Sequence, residues 1–348
     1  MASILLGKKK FKIKLKNNHW VTFDESQFQV LTNFLILLRL STSYTINTNE
    51  KLDITFDFKN FFSINLKKIS YEDQNLISLL VWGHLHGGSI INENDKTTLT
   101  NKKTLKILNI DGKKVIETYN GVKFFLDIYI GHIIECFVQY IHVMKDNEDW
   151  NGKVIVDVGA GVGDTPLYYA SMGAKVYAFE LTKDNYDAML LNIELNPQLS
   201  EKIIPINAGI GKDGIIEYFR DPIKRYGTEG GATMFKSRFI DDVKPIKEKV
   251  QGYSLFSIFK EFNIDHVDLL KMDCKGCEFS DHSLTEDVLQ KVDSIKIEYM
   301  SLSDKHNLRK LLNILKKSGF IYRIYKQTPL EIKPIGDAGT IYAEKLKD

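Results

Sequence analysis

The sequence predicts an α/β fold over most of its length, preceded by a smaller α+β domain. From residue 153 onward, apolar strand segments alternate with helical segments, which is typical of a mostly parallel sheet covered by helices on both faces. The first of these strands runs into a glycine-rich loop and then into a helix. The preceding residues instead show short runs in which apolar and polar residues alternate. We therefore expect an N-terminal α+β accessory domain over residues 1–125 and an α/β domain over residues 126–348.

The N-terminal part contains four runs with strand periodicity and two helical segments. Because successive side chains of a strand point to opposite faces, alternation of apolar and polar residues indicates a half-buried strand. The predicted strands are Phe11–Leu15, Asp53–Phe58, Phe62–Leu66 and Val122–Leu126, and the predicted helices are Gln27–Leu40 and Tyr71–Trp82. A further helix is predicted from about Ile128 to Lys145, because apolar residues recur there at helical spacing.

The second part reads as seven strands with helices between them. The predicted strands are Lys153–Val158, Lys175–Phe179, Lys202–Asn207, Val267–Met272, Ser294–Tyr299, Phe320–Lys326 and Thr340–Lys345. The predicted helices begin near Thr165, with Asp164 as N-cap, and at Lys183, Ser254, Leu284 and Lys305. No helix separates the last two strands, so a hairpin at the sheet edge is expected.

Composition narrows the class of protein. The chain has 348 residues, a net charge of +2 and 43% hydrophobic residues, which is ordinary for a globular protein and gives no strong attraction to polyanions. Its most apolar segment, Phe28–Leu40, is shorter than the roughly 20 residues that span a bilayer. With three cysteines, we expect a cytoplasmic protein without a membrane contact, whose thiols are buried and free.

The loop after the first strand suggests a nucleotide-type cofactor. Gly159, Ala160, Gly161 and Gly163 lie between the strand and the next helix, where glycine allows a close approach of the backbone to a ligand. A dinucleotide fingerprint requires Gly or Ala where this chain has Asp164. Since S-adenosylmethionine has no phosphate and carries positive charges, carboxylates at Asp157 and Asp164 favour it over NAD.

Two further strand ends extend the predicted cofactor site. Glu180 ends the second strand, where a carboxylate can accept both ribose hydroxyls. Asn207 ends the third strand and is placed to meet the adenine edge. The alternative is that the glycines form only a tight turn and that Glu180 is a solvated strand end.

At these residues the sequence resembles the FkbM-type methyltransferases. The likeness is carried by the glycine loop through Phe179-Glu180, followed by Asn192–Asn196, and by the stretch Val267–Glu278, which is similar to the family signature Lys-x-Asp-x-Glu-Gly-x-Glu. It runs from about Gly121 to Lys345. It implies a Rossmann-like class I methyltransferase domain with a seven-stranded sheet, S-adenosylmethionine as methyl donor, and cofactor contacts by Asp157, Gly159, Gly161, Glu180 and Asp273. Lys275 stands where the family usually has Glu.

The catalytic candidates follow strands four and five, because open α/β sheets bind ligands at the carboxyl ends of their strands. They are Asp273, Lys275, Glu278 and Glu298. Asp273 is expected to hold cofactor or to act as base. Lys275 either lowers the pKa of neighbouring carboxylates or stabilises an acceptor alkoxide.

Glu278 and Glu298 accept a proton or share a divalent cation in the functional interpretation. In the structural interpretation, Glu278 is a carboxylate in the first turn of a helix, and Glu298 is an ion-pair partner of Lys296 or Lys271. No metal site is predicted, because Cys274 and Cys277 lack further ligands nearby.

Three hypotheses of function are considered. The first, which the family resemblance implies, is methylation of a hydroxyl on a sugar, a glycan or another small molecule. The second is methylation of RNA, with the N-terminal domain as binding module. The third is a catalytically silent protein with the shape of a methyltransferase. The glycine-rich segment Phe219–Phe239 is expected to form a lid over the acceptor, with a functionless loop as the alternative. The oligomeric state is left open.

Overall fold

The protein is described from a computed structural model. The structure describes the chain except for residues 1–2, 8–9, 16–18, 25–26, 48–51, 59–61, 86–88, 93–103, 129–130, 145–148, 221–231, 234–245, 302–304, 328–336 and 346–348. The chain divides into two compact units, residues 1–119 with 125–130, and residues 120–124 with 131–348. None of the helices in the described part is both long and apolar enough to span a bilayer.

The first unit combines small sheets with two helices, so the predicted α+β character is confirmed. Its strands are β1 (Ser3–Gly7), β2 (Lys10–Lys14), β3 (Trp20–Asp24), β4 (Ser43–Ile46), β5 (Ile54–Phe58), β6 (Phe62–Asn65), β7 (Ser89–Asn92), β8 (Thr104–Ile110) and β9 (Lys113–Glu117). Strands β1–β3 and β4–β6 form antiparallel meanders, and β8 pairs parallel with β7 and antiparallel with β9. The helices are α1 (Phe28–Leu40) and α2 (Tyr71–Leu85).

The rings of Phe23, Phe34 and Phe56 form the aromatic centre of this unit. Each is completely buried, and the ring centroids of Phe34 lie 5.1 Å from those of Phe23 and 5.8 Å from those of Phe56. Since these residues come from β3, α1 and β5, their contacts join both meanders to one helix.

The second unit is built on a seven-stranded sheet. Strand β10 (Lys123–Phe125) lies at the sequence boundary between the two units and is not part of this sheet. The seven strands of the sheet are β11 (Val154–Val158), β12 (Lys175–Glu180), β13 (Ile203–Asn207), β18 (Val267–Met272), β19 (Val292–Met300), β20 (Phe320–Gln327) and β21 (Ala338–Lys345). The sheet order is β13-β12-β11-β18-β19-β21-β20. The first five strands are parallel, whereas β21 runs antiparallel to both β19 and β20. The predicted α/β fold and the edge hairpin are therefore confirmed.

The helices of this unit are α3 (Gly131–Phe137), α4 (Asp164–Ser171), α5 (Lys183–Glu194), α6 (Leu255–Glu261), α7 (Glu286–Gln290) and α8 (Leu308–Lys317). The helix predicted to reach Lys145 is wrong in length, because α3 ends at Phe137 and Tyr140 has a left-handed backbone with φ of 59°. Asp164 is the first helical residue of α4 and not its N-cap, which is Gly163.

An insertion after β13 forms a second sheet. It contains β14 (Gly209–Ile210), β15 (Gly214–Arg220), β16 (Ala232–Thr233) and β17 (Ile246–Tyr253), in the order β14-β17-β15-β16. Periodicity did not reveal these strands, because the segment is dominated by charged residues and glycine. Of the predicted lid, Phe219–Phe239, the structure describes only residues 219–220 and 232–233. Its glycine-rich part, Tyr226–Gly231, lies outside the described residues, so the lid stays a prediction.

Candidate active site

The glycine loop between β11 and α4 is pressed against the end of β18. A Cβ atom on Gly159 would lie 2.0 Å from the backbone oxygen of Asp273, and the φ of Gly159 is +82°. No L side chain fits this position. The N–H of Asp273 donates to the carbonyl of Val158 at 2.8 Å. The loop and the end of β18 therefore lie in direct contact.

Glu180, at the end of β12, holds this loop from the other side. Its Oε2 accepts the N–H of Gly161 at 2.9 Å, and its Oε1 accepts the N–H and the hydroxyl of Thr182 at 2.9 and 2.8 Å. Burial raises the pKa of Glu180, while these hydrogen bonds favour its ionised form. A ribose contact by this carboxylate stays a prediction.

Asp157 and Lys271 form a buried ion pair between neighbouring strands. Lys271 Nζ lies 2.7 Å from Asp157 Oδ1, and the two side chains are 4% and 0% exposed. Burial raises the pKa of Asp157, although the Lys271 charge opposes this, and Asp157 in turn helps to raise the pKa of Lys271. Asp157 Oδ2 is buried and has no hydrogen-bond partner among the residues that the structure describes.

This unsatisfied oxygen fits the expected cofactor. Leaving a buried carboxylate oxygen without a donor costs about 1–3 kcal/mol or more. The ammonium group of S-adenosylmethionine is a hydrogen-bond donor whose positive charge complements this carboxylate. The donor set therefore suits a cationic ligand better than a pyrophosphate.

Two other predicted cofactor residues are already engaged within the protein. Asn207 Nδ2 donates to the carbonyls of Glu180 at 2.9 Å and of Leu181 at 3.3 Å. Asp164 is buried in the first turn of α4, where its Oδ2 accepts the hydroxyl of Thr165 at 3.3 Å. The adenine contact of Asn207 and the ligand contacts of Ala160, Gly163 and Asp164 stay predictions.

The ends of β18 and β19 carry an ionic cluster centred on Lys275. Its Nζ lies 2.6 Å from Asp273 Oδ1 and 2.8 Å from Glu298 Oε1. Burial favours neutral groups here, yet the Lys275 and Lys271 charges hold the pKa of Asp273 well below its usual range, and the carboxylates raise the pKa of Lys275. The sequence-based expectation that Lys275 lowers the pKa of a neighbouring carboxylate is thus met at Asp273.

The ion pairs suggested for Glu298 from the sequence are wrong. Glu298 pairs with Lys275, whereas Lys271 pairs with Asp157 and Lys296 donates to the carbonyl of Ile141. Which carboxylate each lysine meets depends on the register of the neighbouring strands, and the sequence alone does not give that register. Burial and the nearby Lys271 lower the pKa of Lys296 to about 8.

Glu278 is buried, and both of its carboxylate oxygens accept hydrogen bonds from backbone N–H groups. Its Oε1 accepts the N–H of Met300 at 3.0 Å, and its Oε2 accepts the N–H of Gly276 at 2.8 Å. Burial raises the pKa of Glu278 to about 7. The geometry shows how this side chain positions the loop after β18, while its role as a proton acceptor stays a prediction.

Cys274 and Cys277 form a disulfide, so the expectation of free thiols is wrong for this pair. Their Cα atoms are 5.5 Å apart, which is close enough for a bridge. The left-handed backbone of Lys275 (φ 50°) and Gly276 (φ 122°) turns the chain back between the two cysteines. Cys136 is a buried free thiol, as expected.

Sequence analysis missed three side chains near this cluster. His132 and Glu135 lie one turn apart on α3, and His142 follows in the next loop, with its Nε2 2.7 Å from Glu135 Oε2. The ligand atoms of His142, Asp273 and Glu298 lie within 4.8 Å of one another. The spacing of His132 and Glu135 was the available signal, but the apolar residues of the same helix dominated its interpretation.

A model of the FkbM methyltransferase domain matches residues 157–322. Two curated relatives are similar over short stretches: "Probable histone-arginine methyltransferase CARM1" of Oryza sativa subsp. indica (40% identical over 72 residues) and "Probable histone-arginine methyltransferase 1.4" of Arabidopsis thaliana (44% over 69 residues). Each match covers 20% of this chain and 13% of the relative, so the chain spans about an eighth of the length of these proteins.

Solved structures of methyltransferases are similar at low identity. The METTL16 methyltransferase domain is 14% identical, with a TM-score of 0.41 and coverage of 92% of both chains. Fibrillarin of Aeropyrum pernix, solved with natively bound S-adenosylmethionine, is 8% identical, with a TM-score of 0.33 and coverage of 99% of both chains. The family match and the sheet order with its glycine loop point to one conclusion. Residues 157–322 of this chain form an S-adenosylmethionine-dependent methyltransferase domain of the FkbM family.

Proposed function

We propose that the chain methylates a hydroxyl group of a sugar, a glycan or another small molecule. The observation that carries this proposal is the ionic cluster of Asp273, Lys275 and Glu298 beside the glycine loop. A hydroxyl acceptor must lose its proton during methyl transfer, so it requires a base close to the donor. Bound S-adenosylmethionine supplies a methyl group on a sulfonium that is its own leaving group.

The two carboxylates of the cluster have different environments. Lys275 and Lys271 both hold the pKa of Asp273 down, which makes Asp273 a weak base and suits it to binding cationic cofactor. Glu298 pairs with Lys275 at 2.8 Å, and its side chain is 24% exposed, compared with 15% for Asp273, so it is the more accessible of the two to an acceptor. We therefore infer that Glu298 accepts the proton of the acceptor hydroxyl, and that Lys275 stabilises the negative charge that develops on the acceptor oxygen.

Methyl transfer from labelled S-adenosylmethionine tests this proposal. The chain is incubated with a pool of saccharides and phenols, and separately with total RNA. We expect label in the small-molecule pool, in a linkage that resists mild alkali, since ethers survive conditions that hydrolyse methyl esters. Glu298→Gln is expected to slow transfer by about 10²–10⁴-fold with unchanged cofactor affinity.

The matched control is Glu286→Gln, an exposed carboxylate in the first turn of α7, which is expected to keep full activity. Label in RNA alone would contradict the proposal and would favour RNA as the methyl acceptor. Cofactor binding without transfer to either pool would favour the catalytically silent protein.

A further inference from the structure

Three side chains of the second unit bring their potential metal-ligand atoms within 4.8 Å of one another. His132 and Glu135 project from α3 one turn apart, and His142 meets them from the following loop. Glu135 Oε2 lies 2.7 Å from His142 Nε2 and 3.7 Å from His132 Nδ1. The side chains are largely enclosed, with exposures of 26%, 7% and 20% for Glu135, His142 and His132.

These atoms have the chemistry and spacing of a transition-metal site. Two imidazoles and one carboxylate are a donor set that binds Zn²⁺ and Fe²⁺. With metal–ligand bonds of about 2.0–2.1 Å, neighbouring donors lie roughly 3 Å apart. The two separations from Glu135 bracket that value, and the ligand atoms of the two histidines lie within 4.8 Å of each other, so side-chain shifts of about 1–2 Å would let a metal ion contact all three groups.

The neighbouring carboxylates also favour a cation at this place. Asp273 has a carboxylate oxygen within 4.8 Å of His142, and a Cβ atom on Gly161 would lie 3.6 Å from Asp164 Oδ1 and 3.9 Å from His132 Cδ2, so two further carboxylates lie close to the cluster. The alternative cluster of His142, Asp273 and Glu298 already contains the ammonium of Lys275 between its two carboxylates. A metal ion therefore fits the cluster around Glu135 and not the one around Lys275.

The position of this cluster connects it to the cofactor loop. A Cβ atom on Gly161 would lie 3.9 Å from His132 Cδ2, so the imidazole packs directly against the glycine loop. His142 approaches Asp273 and Glu298 at the same edge of the sheet. A cation between them would face the region where an acceptor hydroxyl meets the methyl donor.

We propose that His132, Glu135 and His142 bind one divalent transition-metal ion of the zinc class. The binding itself depends only on these residues. Its role rests on the proposed function: the ion acts as a Lewis acid that binds the acceptor oxygen and lowers the pKa of its hydroxyl.

Calorimetric titration with Zn²⁺ tests the site directly. The full chain is stripped with a chelator under non-reducing conditions, which keeps Cys274 and Cys277 bridged, and Co²⁺ absorption reports the ligand geometry independently. We expect one Zn²⁺ per chain in the wild type and a loss of more than about tenfold in affinity in Glu135→Gln and His142→Ala. His132→Ala changes the more exposed of the two histidines, so it carries the least risk to folding, and it should show the same loss of affinity. Thermal unfolding checks that each variant is folded.

His266→Ala is the matched control. His266 lies 3.6 Å from Asp268 and 3.4 Å from Asp293, so it has the same ligand types, but its side chain is 54% exposed. Binding that survives in His266→Ala and weakens in the three variants upholds the proposal. Absence of Zn²⁺ binding by the wild type, or binding undiminished in all three variants, overturns it. A parallel titration with S-adenosylmethionine separates the two proposals, because Zn²⁺ binding without cofactor binding leaves the metal site and removes the proposed function.

Discussion

Replacing Lys271 with Met is expected to lower the free energy of unfolding by about 3–5 kcal/mol. Lys271 Nζ lies 2.7 Å from Asp157 Oδ1, inside a sheet where both side chains are buried. Met fills a similar volume but leaves the Asp157 carboxylate without its counter-charge, and transferring a lone charge into the core is costly. Urea denaturation at neutral pH measures the loss.

The matched control is Lys183→Met. Lys183 also pairs with an aspartate, Asp187, at 2.5 Å, but the two side chains are 65% and 46% exposed. Such a surface pair contributes at most about 0.5 kcal/mol. If Lys271→Met and Lys183→Met lost the same small amount, the buried pair would not stabilise the β11–β18 junction as described. The double variant with Asp157→Asn is expected to regain most of the stability, because it removes the unpaired charge.

Gly159→Ala is expected to abolish detectable binding of S-adenosylmethionine. The added Cβ would meet the backbone oxygen of Asp273 at 2.0 Å, and neither backbone segment can move without disturbing the β11 and β18 ends. The loop must shift, and with it the N–H of Gly161 that Glu180 accepts. We expect a stability loss of about 1–3 kcal/mol from overpacking in addition to the cost of positive φ.

Gly152→Ala separates these two costs. Gly152 has a similar φ of +73°, but nothing lies within 4 Å of an added Cβ. It is expected to lose only about 1–2 kcal/mol and to bind cofactor like the wild type. Equal behaviour of the two variants, measured by calorimetric titration and thermal unfolding, would show that the contact between Gly159 and Asp273 does not shape the loop.

The sequence predicts the parallel sheet well because its strands are buried on both faces. Four of the six residues of Val267–Met272 are apolar, the exceptions being Asp268 and Lys271, and the predicted bounds of this strand equal those of β18. The glycine loop was recognisable because positive φ and close approach leave glycine few substitutes. By contrast, the α3 helix was predicted too long, since apolar periodicity continues past Phe137 while the backbone turns at Tyr140.

Side-chain partners were less predictable than strands. Lys271 and Lys275 each lie two residues from Asp273 in the sequence, yet Lys271 pairs with Asp157 inside the sheet and Lys275 lies between Asp273 and Glu298. Strand register and the tight turn at Lys275 decide the directions of these side chains. His142 lies far in sequence from Glu298, so only the fold brings them together. The disulfide depends on the same turn, which two cysteines at this spacing do not specify by themselves.

The central claim is that the glycine loop and Glu180 form a site for S-adenosylmethionine. Calorimetric titration of the wild-type chain with S-adenosylmethionine, S-adenosylhomocysteine and NAD tests it most directly, beside Glu180→Ala and the control Glu194→Ala, an exposed carboxylate of α5. We predict micromolar binding of both adenosyl compounds by the wild type and the control, its loss in Glu180→Ala, and no binding of NAD. A folded wild-type sample that binds neither adenosyl compound, or that prefers NAD, would contradict the claim.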